Sequence, residues 1–330
     1  MVRSAVPLTL APRASQPRGV TPHVLTGPTM GVSWNVKLFG PERLDVALAG
    51  MQVQAVLDRV VAQMSPWESW SAISRFNAAA PGERIPLPAE FFFVLRRALH
   101  WAQKSDGAFD PTLGKLVDLW GFGPPGAVTS PPDPDASAAA FAAAGWRRLA
   151  LDEASRSAIQ PGDLALDLSG IAKGFGVDEA ARVLERLGVY DYLIEIGGEL
   201  RGAGVKPDGQ PWWVEIETPP GAVLDGGPIR LALHGLSVAT SGTYRRFMDD
   251  EGGRLPHTLD PRSGAPVRNA VNSVSVIHAS CMDADALATV LGVLGPGAGL
   301  DFAVRHQLAA QFILEDGREV LSPGMADILG

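Results

Sequence analysis

Asp167-Leu168-Ser169-Gly170-Ile171-Ala172-Lys173-Gly174 brings together a carboxylate, a hydroxyl, a glycine hinge and an ammonium within one short stretch. An apolar, strand-like run (Leu164, Leu166, Leu168) leads into it. A helical spacing of Val177, Ala180, Ala181, Val183 and Leu184 leads out, stopping at Gly188. The mouth of such a helix offers unpaired N–H groups and a partial positive charge, which suit a phosphate or pyrophosphate. The carboxylate of Asp167 suits a different partner: a sugar hydroxyl, a flavin N–H or a hard cation. The competing reading is a Ser-capped helix with a solvated lysine.

A second constellation is Cys281-Met282-Asp283-Ala284-Asp285-Ala286-Leu287-Ala288-Thr289, read as the start of a helix running through Leu294. Asp285 and Thr289 are four residues apart, so both oxygens face one side of it, with small residues beside them. Oxygen-only ligands suit Mg²⁺, which keeps waters and substrate phosphates as its other ligands; zinc would call for His or Cys. The alternative is an acid favoured near a helix N-terminus and a threonine bonding back one turn. Trp67 and Trp70, beside Pro66 and several serines, could stack on a ring ligand or close over the core.

The elements that must position these groups follow from periodicity. Gly31–Leu38 alternates as a half-buried strand, Pro41–Met64 and Leu87–Ser105 space their apolar residues as amphipathic helices, and a short helix ends at Asn77. Residues 126–135 are a proline-rich excursion, Ala136–Ala144 an alanine-rich helix closed by Gly145, and Leu149–Ile159 a hairpin. Strands are expected at Tyr192–Ile196, Trp212–Glu217, Ile229–Leu233, Leu236–Thr240 and Val271–His278, with a hairpin carrying His257-Thr258-Leu259-Asp260-Pro261. Gly202-Ala203-Gly204 lacks a third glycine and a following helix, so it is not a dinucleotide fingerprint.

Composition bounds the function. The 330 residues are 46% hydrophobic and 19% charged with net charge −8, as in an ordinary globule, and no basic cluster points to nucleic acid. A single cysteine, Cys281, excludes an internal disulfide framework and a cysteine-rich zinc site, and its place at a buried helix start makes it an inert thiol. No run of about 18 apolar residues is present, so no transmembrane segment is expected. Residues 1–27 read as a loose leader without a lipid-anchor cysteine, and residues 28–330 as one domain with two intimate sub-domains.

The motifs, taken together and in order, resemble the FAD:protein FMN transferases of the ApbE family. The matching residues are Pro28–Gly31, Ser69–Asn77, Gly107–Thr112, Leu119–Gly123, Asp167–Gly174, Glu195–Leu200, Ala239–Gly242, His257–Pro261 and Ala284–Thr289. The resemblance implies an α+β, T-fold-like architecture of antiparallel sheets packed with helices, with FAD held in a crevice between sub-domains. It implies that Met30, Trp67 (commonly Tyr in the family), Ala108, Phe109, Asp110, Asp167, Lys173 and Leu259 line the FAD site. It implies that the Gly170 carbonyl, the Asp285 carboxylate and the Thr289 hydroxyl hold Mg²⁺. His257, the one histidine within a matched motif, is expected as base or positioner, with Asp285 the second catalytic group. The implied reaction moves FMN from FAD to a threonine hydroxyl of a separate flavoprotein and releases AMP. The family's acceptor segment, Asp-Gly-x-Thr followed by small residues and a second threonine, does not occur in this chain. An FAD pyrophosphatase and a non-enzymatic FAD carrier remain as alternatives; the compartment reads as cytoplasmic by default and periplasmic by resemblance.

Overall fold

The computed structural model describes residues 2–7, 22–250 and 253–330. Its helices are α1 (Val46–Met64), α2 (Ala72–Asn77), α3 (Ala89–Lys104), α4 (Gly114–Leu119), α5 (Pro134–Ala143), α6 (Ala172–Arg186), α7 (Cys281–Arg305) and α8 (Pro323–Leu329). The chain forms two compact units. The first comprises Met1–Arg59, Lys173–Gly242 and Ala270–Gly330; the second comprises Val60–Ala172 and Thr243–Asn269.

The first unit is built on an eight-stranded antiparallel sheet. Its order is Glu319–Leu321, Ala309–Leu314, Val271–His278, Leu236–Gly242, Glu199–Ala203, Asp191–Ile196, Val32–Phe39 and His23–Thr29. Strand alternation sends Leu38, Tyr192 and Ile194 into one apolar cluster with Val53, Leu57, Ala180 and Leu184. Phe39 and Leu193, next to them in sequence, join a different cluster with Trp212, Ile229, Leu231 and Met325. The sheet is therefore buried on both faces. Each large aliphatic side chain so enclosed contributes about 1.5–3 kcal/mol. A smaller sheet pairs Arg3–Ala5 in parallel with Ile229–Leu233, which pairs antiparallel with Trp212–Glu215.

Of the stretch read as a loose leader, residues 3–5 and 23–27 lie in strands, while residues 1 and 8–21 fall outside the described residues. Helix α7 is, among the described residues, long and apolar enough by length and composition to cross a membrane, contrary to the expectation of no such stretch. It packs on the strands Leu236–Gly242 and Val271–His278, and half of its apolar window is buried, so its apolarity is that of a core helix. It breaks at Gly295, next to Pro296, which cannot complete the helical bonding.

The second unit contains α2 to α5, a three-stranded sheet (Arg84–Pro86, Ser157–Ile159, Ala150–Asp152) and two hairpins. The hairpins are Phe247–Asp250 with Gly253–Pro256, and Leu259–Asp260 with Ala265–Pro266. Helix α3 buries Phe91, Val94, Leu95, Ala98, Trp101 and Ala102 at helical spacing. The Asp133 side chain caps α5 ahead of Pro134. Leu116, Trp120, Phe122, Met248, Leu255 and Leu259 form its apolar cluster around α4 and the hairpins.

The alternating Leu164–Leu168 run is not a strand; it makes one isolated bridge, Leu113 with Ala165. Its polar groups are met elsewhere. The Asn77 side chain accepts from the Leu166 N–H at 2.7 Å and donates to its carbonyl at 3.0 Å, and the Asp167 N–H donates to the Pro111 carbonyl at 2.8 Å. The alternation reports burial rather than pairing.

Candidate functional site

In the first unit the candidate groups gather where α6 begins. Gly174 allows this. A Cβ at that position would lie 2.3 Å from the Cys281 carbonyl oxygen, so only glycine lets the start of α7 approach so closely. The start of α7 is anchored by Asp178, one turn further along α6. Its carboxylate accepts from the Cys281 N–H, the Met282 N–H and the Ser280 hydroxyl at 3.0–3.1 Å, and pairs with Arg201 at 3.0 Å. An anion at a helix N-terminus satisfies orphan donors and the dipole together.

With α7 so fixed, Asp285 reaches back, and its Oδ2 accepts from the Gly174 N–H at 2.9 Å. Lys173 Nζ donates to Glu199 Oε1 at 2.5 Å, so the lysine is ion-paired rather than solvated. Asp285 and Glu199 are both buried, and Glu199 Oε2 has no hydrogen-bond partner. Burial pushes both carboxyls up, and Lys173 opposes the rise; Asp285 adds to it at Glu199. Burial likewise raises the Cys281 thiol, which stays protonated as an inert core group. Met30, in a left-handed turn (φ 47°), lays its methyl against the open face of Gly176. The Thr289 hydroxyl donates to the Asp285 carbonyl at 3.4 Å, the backward bond expected of a helical threonine.

These donors fit a hard divalent cation. Two buried carboxylates face one ammonium, an oxygen is left without a donor, and every candidate ligand is oxygen. Among the described residues no group of three or more His, Cys, Asp or Glu side chains forms a cage. A cation here would rely on few side chains and on ligand oxygens, as Mg²⁺ does.

The second unit carries a cleft with about 600 Å³ of empty space, its open mouth included, lined by Trp67, Asn77, Asp118, Phe122, Asp167 and His257 among others. Trp67 and Trp70 are 54% and 57% exposed, so neither closes over the core. Asp167 Oδ1 accepts from the Ser169 N–H at 2.7 Å, so the chain turns toward α6 on an aspartate and not on a serine cap. The helix starts only at Ala172, past the Ser169–Gly170 pair expected to open it. Gly170 lies in that turn, in the second unit.

His257 Nδ1 lies 3.1 Å from the Arg246 carbonyl, which can only accept, so Nδ1 carries a proton that donates to it. Phe122 meets the same ring edge-on at 6.2 Å. Asp118, at the end of α4, has its carboxyl pushed up to about 6 by burial and then by the neighbouring Asp167 charge.

Other expected residues are not in the cleft lining. Ala108, Phe109 and Leu259 are buried in the core of the second unit. Asp110 is held by Thr112 and by the Trp146 N–H. Glu199 and Asp118 were not singled out from sequence. A local signal exists for each: an acid directly after a Gly-Gly turn, at the first position of a strand, and an acid in the last turn of a helix, where the dipole disfavours it.

The fold and the sequence now agree on a family. The ApbE family matches residues 30–313. This chain belongs to the ApbE family. It is 36% identical over 294 residues to a Vibrio cholerae protein named FAD:protein FMN transferase, covering 88% of this chain and 87% of that one. A Haemophilus influenzae protein of the same name is 35% identical, covering 88% and 86%. Among solved structures, the apo form of the Pseudomonas stutzeri flavinyl transferase ApbE superposes with a TM-score of 0.87 at 36% identity, covering 94% of this chain and 97% of that one. A mutant of the Vibrio cholerae flavin transferase ApbE gives 0.86 at 34% identity, covering 94% and 100%. The α+β architecture of antiparallel sheets and helices is thus the architecture of ApbE flavin transferases.

Proposed function

We propose that this ApbE-family chain is an FAD:protein FMN transferase that moves FMN from FAD to a threonine hydroxyl of a separate flavoprotein and releases AMP. The family membership carries the reaction class. The observation that supports the chemistry is the pair of buried carboxylates, Glu199 and Asp285, that meets the half-buried Lys173 at the start of α6. Asp285, Thr289 and the Gly170 carbonyl would hold Mg²⁺, which when bound neutralises charge on the pyrophosphate oxygens. The Gly174 N–H, which would otherwise close a helical bond four residues back onto that carbonyl, is taken up by Asp285. Lys173 is held by Glu199 as a fixed positive charge for a phosphate oxygen.

His257, with a proton on Nδ1, presents Nε2 in its neutral form to take the proton from the threonine hydroxyl. The threonine oxygen bonds to the phosphorus on the FMN side, the pyrophosphate P–O bond breaks, and AMP departs with the electron pair. Trp67 gives a ring of the dinucleotide an exposed face to stack on.

The test is incubation of the full chain with FAD, Mg²⁺ and a flavoprotein acceptor carrying the threonine segment, reading acceptor mass and free AMP together. One FMN per acceptor with equal AMP is the expected result. AMP without acceptor labelling means water takes the place of threonine. Neither product, with FAD still bound, overturns the enzyme reading.

A further inference from the structure

We infer that Asp118 is a specificity-determining residue of the cleft: its carboxylate accepts a hydrogen bond from an N–H group carried by one of the rings of the dinucleotide, and it keeps phosphate away from that end. The inference rests on the reading of the cleft as part of the FAD site.

Three observations carry it. The first is that Asp118 has no protein partner. Among the described residues none donates to its side chain, and the influences on it are burial and the like charge of Asp167. A carboxylate in the cleft that no protein group donates to is open to accept from a ligand. The second is its place in the last turn of α4, where the helix dipole opposes an anion, so local stability does not explain it. The third is Gly123. A Cβ there would lie 1.9 Å from Asp118 Oδ1, so any side chain at 123 would displace the carboxylate from its position in the cleft lined by Trp67 and Asp167.

Two acids and an exposed indole make this end unsuited to a pyrophosphate and suited to a planar, donor-bearing ring. The flavin imide N–H and the adenine amino group share that chemistry, and the experiment separates them.

Binding is read on the full chain by quenching of flavin fluorescence, with competition by FMN, AMP and inorganic pyrophosphate. Thermal melting checks that each variant is folded. Asp118→Ala is expected to weaken FAD about ten-fold, the size of a lost hydrogen bond to a charged group. Whichever of FMN and AMP loses affinity in step identifies the ring. Asp118→Asn keeps the shape and an oxygen acceptor but removes the charge. It should hold FAD within about three-fold, while pyrophosphate competes about three-fold better. Unchanged FAD affinity in Asp118→Ala overturns the inference. Should that variant not fold, unchanged pyrophosphate competition in Asp118→Asn overturns it. Absence of FAD binding by the wild type sinks the FAD-site reading and this inference together; normal wild-type binding with both variants unaffected sinks this one alone.

Discussion

Asp285 Oδ2 accepts the N–H of Gly174 across 111 positions of sequence, joining the second turn of α7 to the first turn of α6. One carboxylate thus satisfies an orphan helix donor and stays a candidate metal ligand. The two roles separate on substitution. Asp285→Asn retains an oxygen for the Gly174 N–H and removes a buried charge, so its melting temperature should equal or exceed that of the wild type while FMN transfer is lost. Asp285→Ala leaves the amide without a partner and should cost about 1–3 kcal/mol as well. Thermal melts beside the acceptor-mass assay check both; an Asp285→Asn protein with wild-type transfer would remove Asp285 from the chemistry.

Gly174→Ala adds one methyl against the Cys281 carbonyl at the tightest point between α6 and α7. Backbone opposes it, with no flexible side chain to move aside. The expected loss is about 1–3 kcal/mol or more, measured by urea unfolding. A loss below half a kilocalorie would mean that the helices can separate at no cost.

His257→Gln should lower the transfer rate by about 10²–10⁴-fold, the range of general-base assistance, and leave FAD affinity within about three-fold. Single-turnover kinetics with fluorescence binding separate the two. A parallel fall in affinity would make His257 a binding residue.

The raised Asp118 carboxyl sets a pH dependence of stability. Its ordinary value is 3.8 and its folded value about 6, so between these pH values the folded chain binds more protons than the unfolded one. This group's contribution to stability therefore falls as pH rises from about 4 to about 6. Asp167, His257 and Arg246 share the cleft, so the slope is read as a difference between proteins. Relative to wild type, the melting temperature of Asp118→Asn should therefore rise across that window, and a constant difference would show that Asp118 titrates normally.

Much of this architecture was legible in the residues. Strand Ile229–Leu233 has the bounds that its alternation predicts, and α3 follows its apolar spacing to within two residues at either end. Pattern failed where a non-local partner met the backbone. The Leu164–Leu168 alternation promised a ladder, but Asn77 and Pro111 supply the hydrogen bonds instead. Helix α6 begins later than expected because Asp167 turns the chain first. In the site, Lys173 and Asp285 stood out by type and spacing. Glu199 did not: the Gly-Gly turn before it marks a close approach of backbone, but its burial beside both comes from the packing of distant elements.

The first unit is drawn from three separate lengths of chain and the second from two. Strands His23–Thr29 and Val32–Phe39 pair with each other at once, but the next strand of their sheet, Asp191–Ile196, leaves the ribosome more than 150 residues later. Until then the nascent hairpin carries an open edge of unpaired backbone groups beside apolar Trp34, Val36 and Leu38. Synthesis of this protein therefore passes through a prolonged adhesive stage, and slow translation or a scarcity of chaperones would reduce its yield without altering any residue of the finished site.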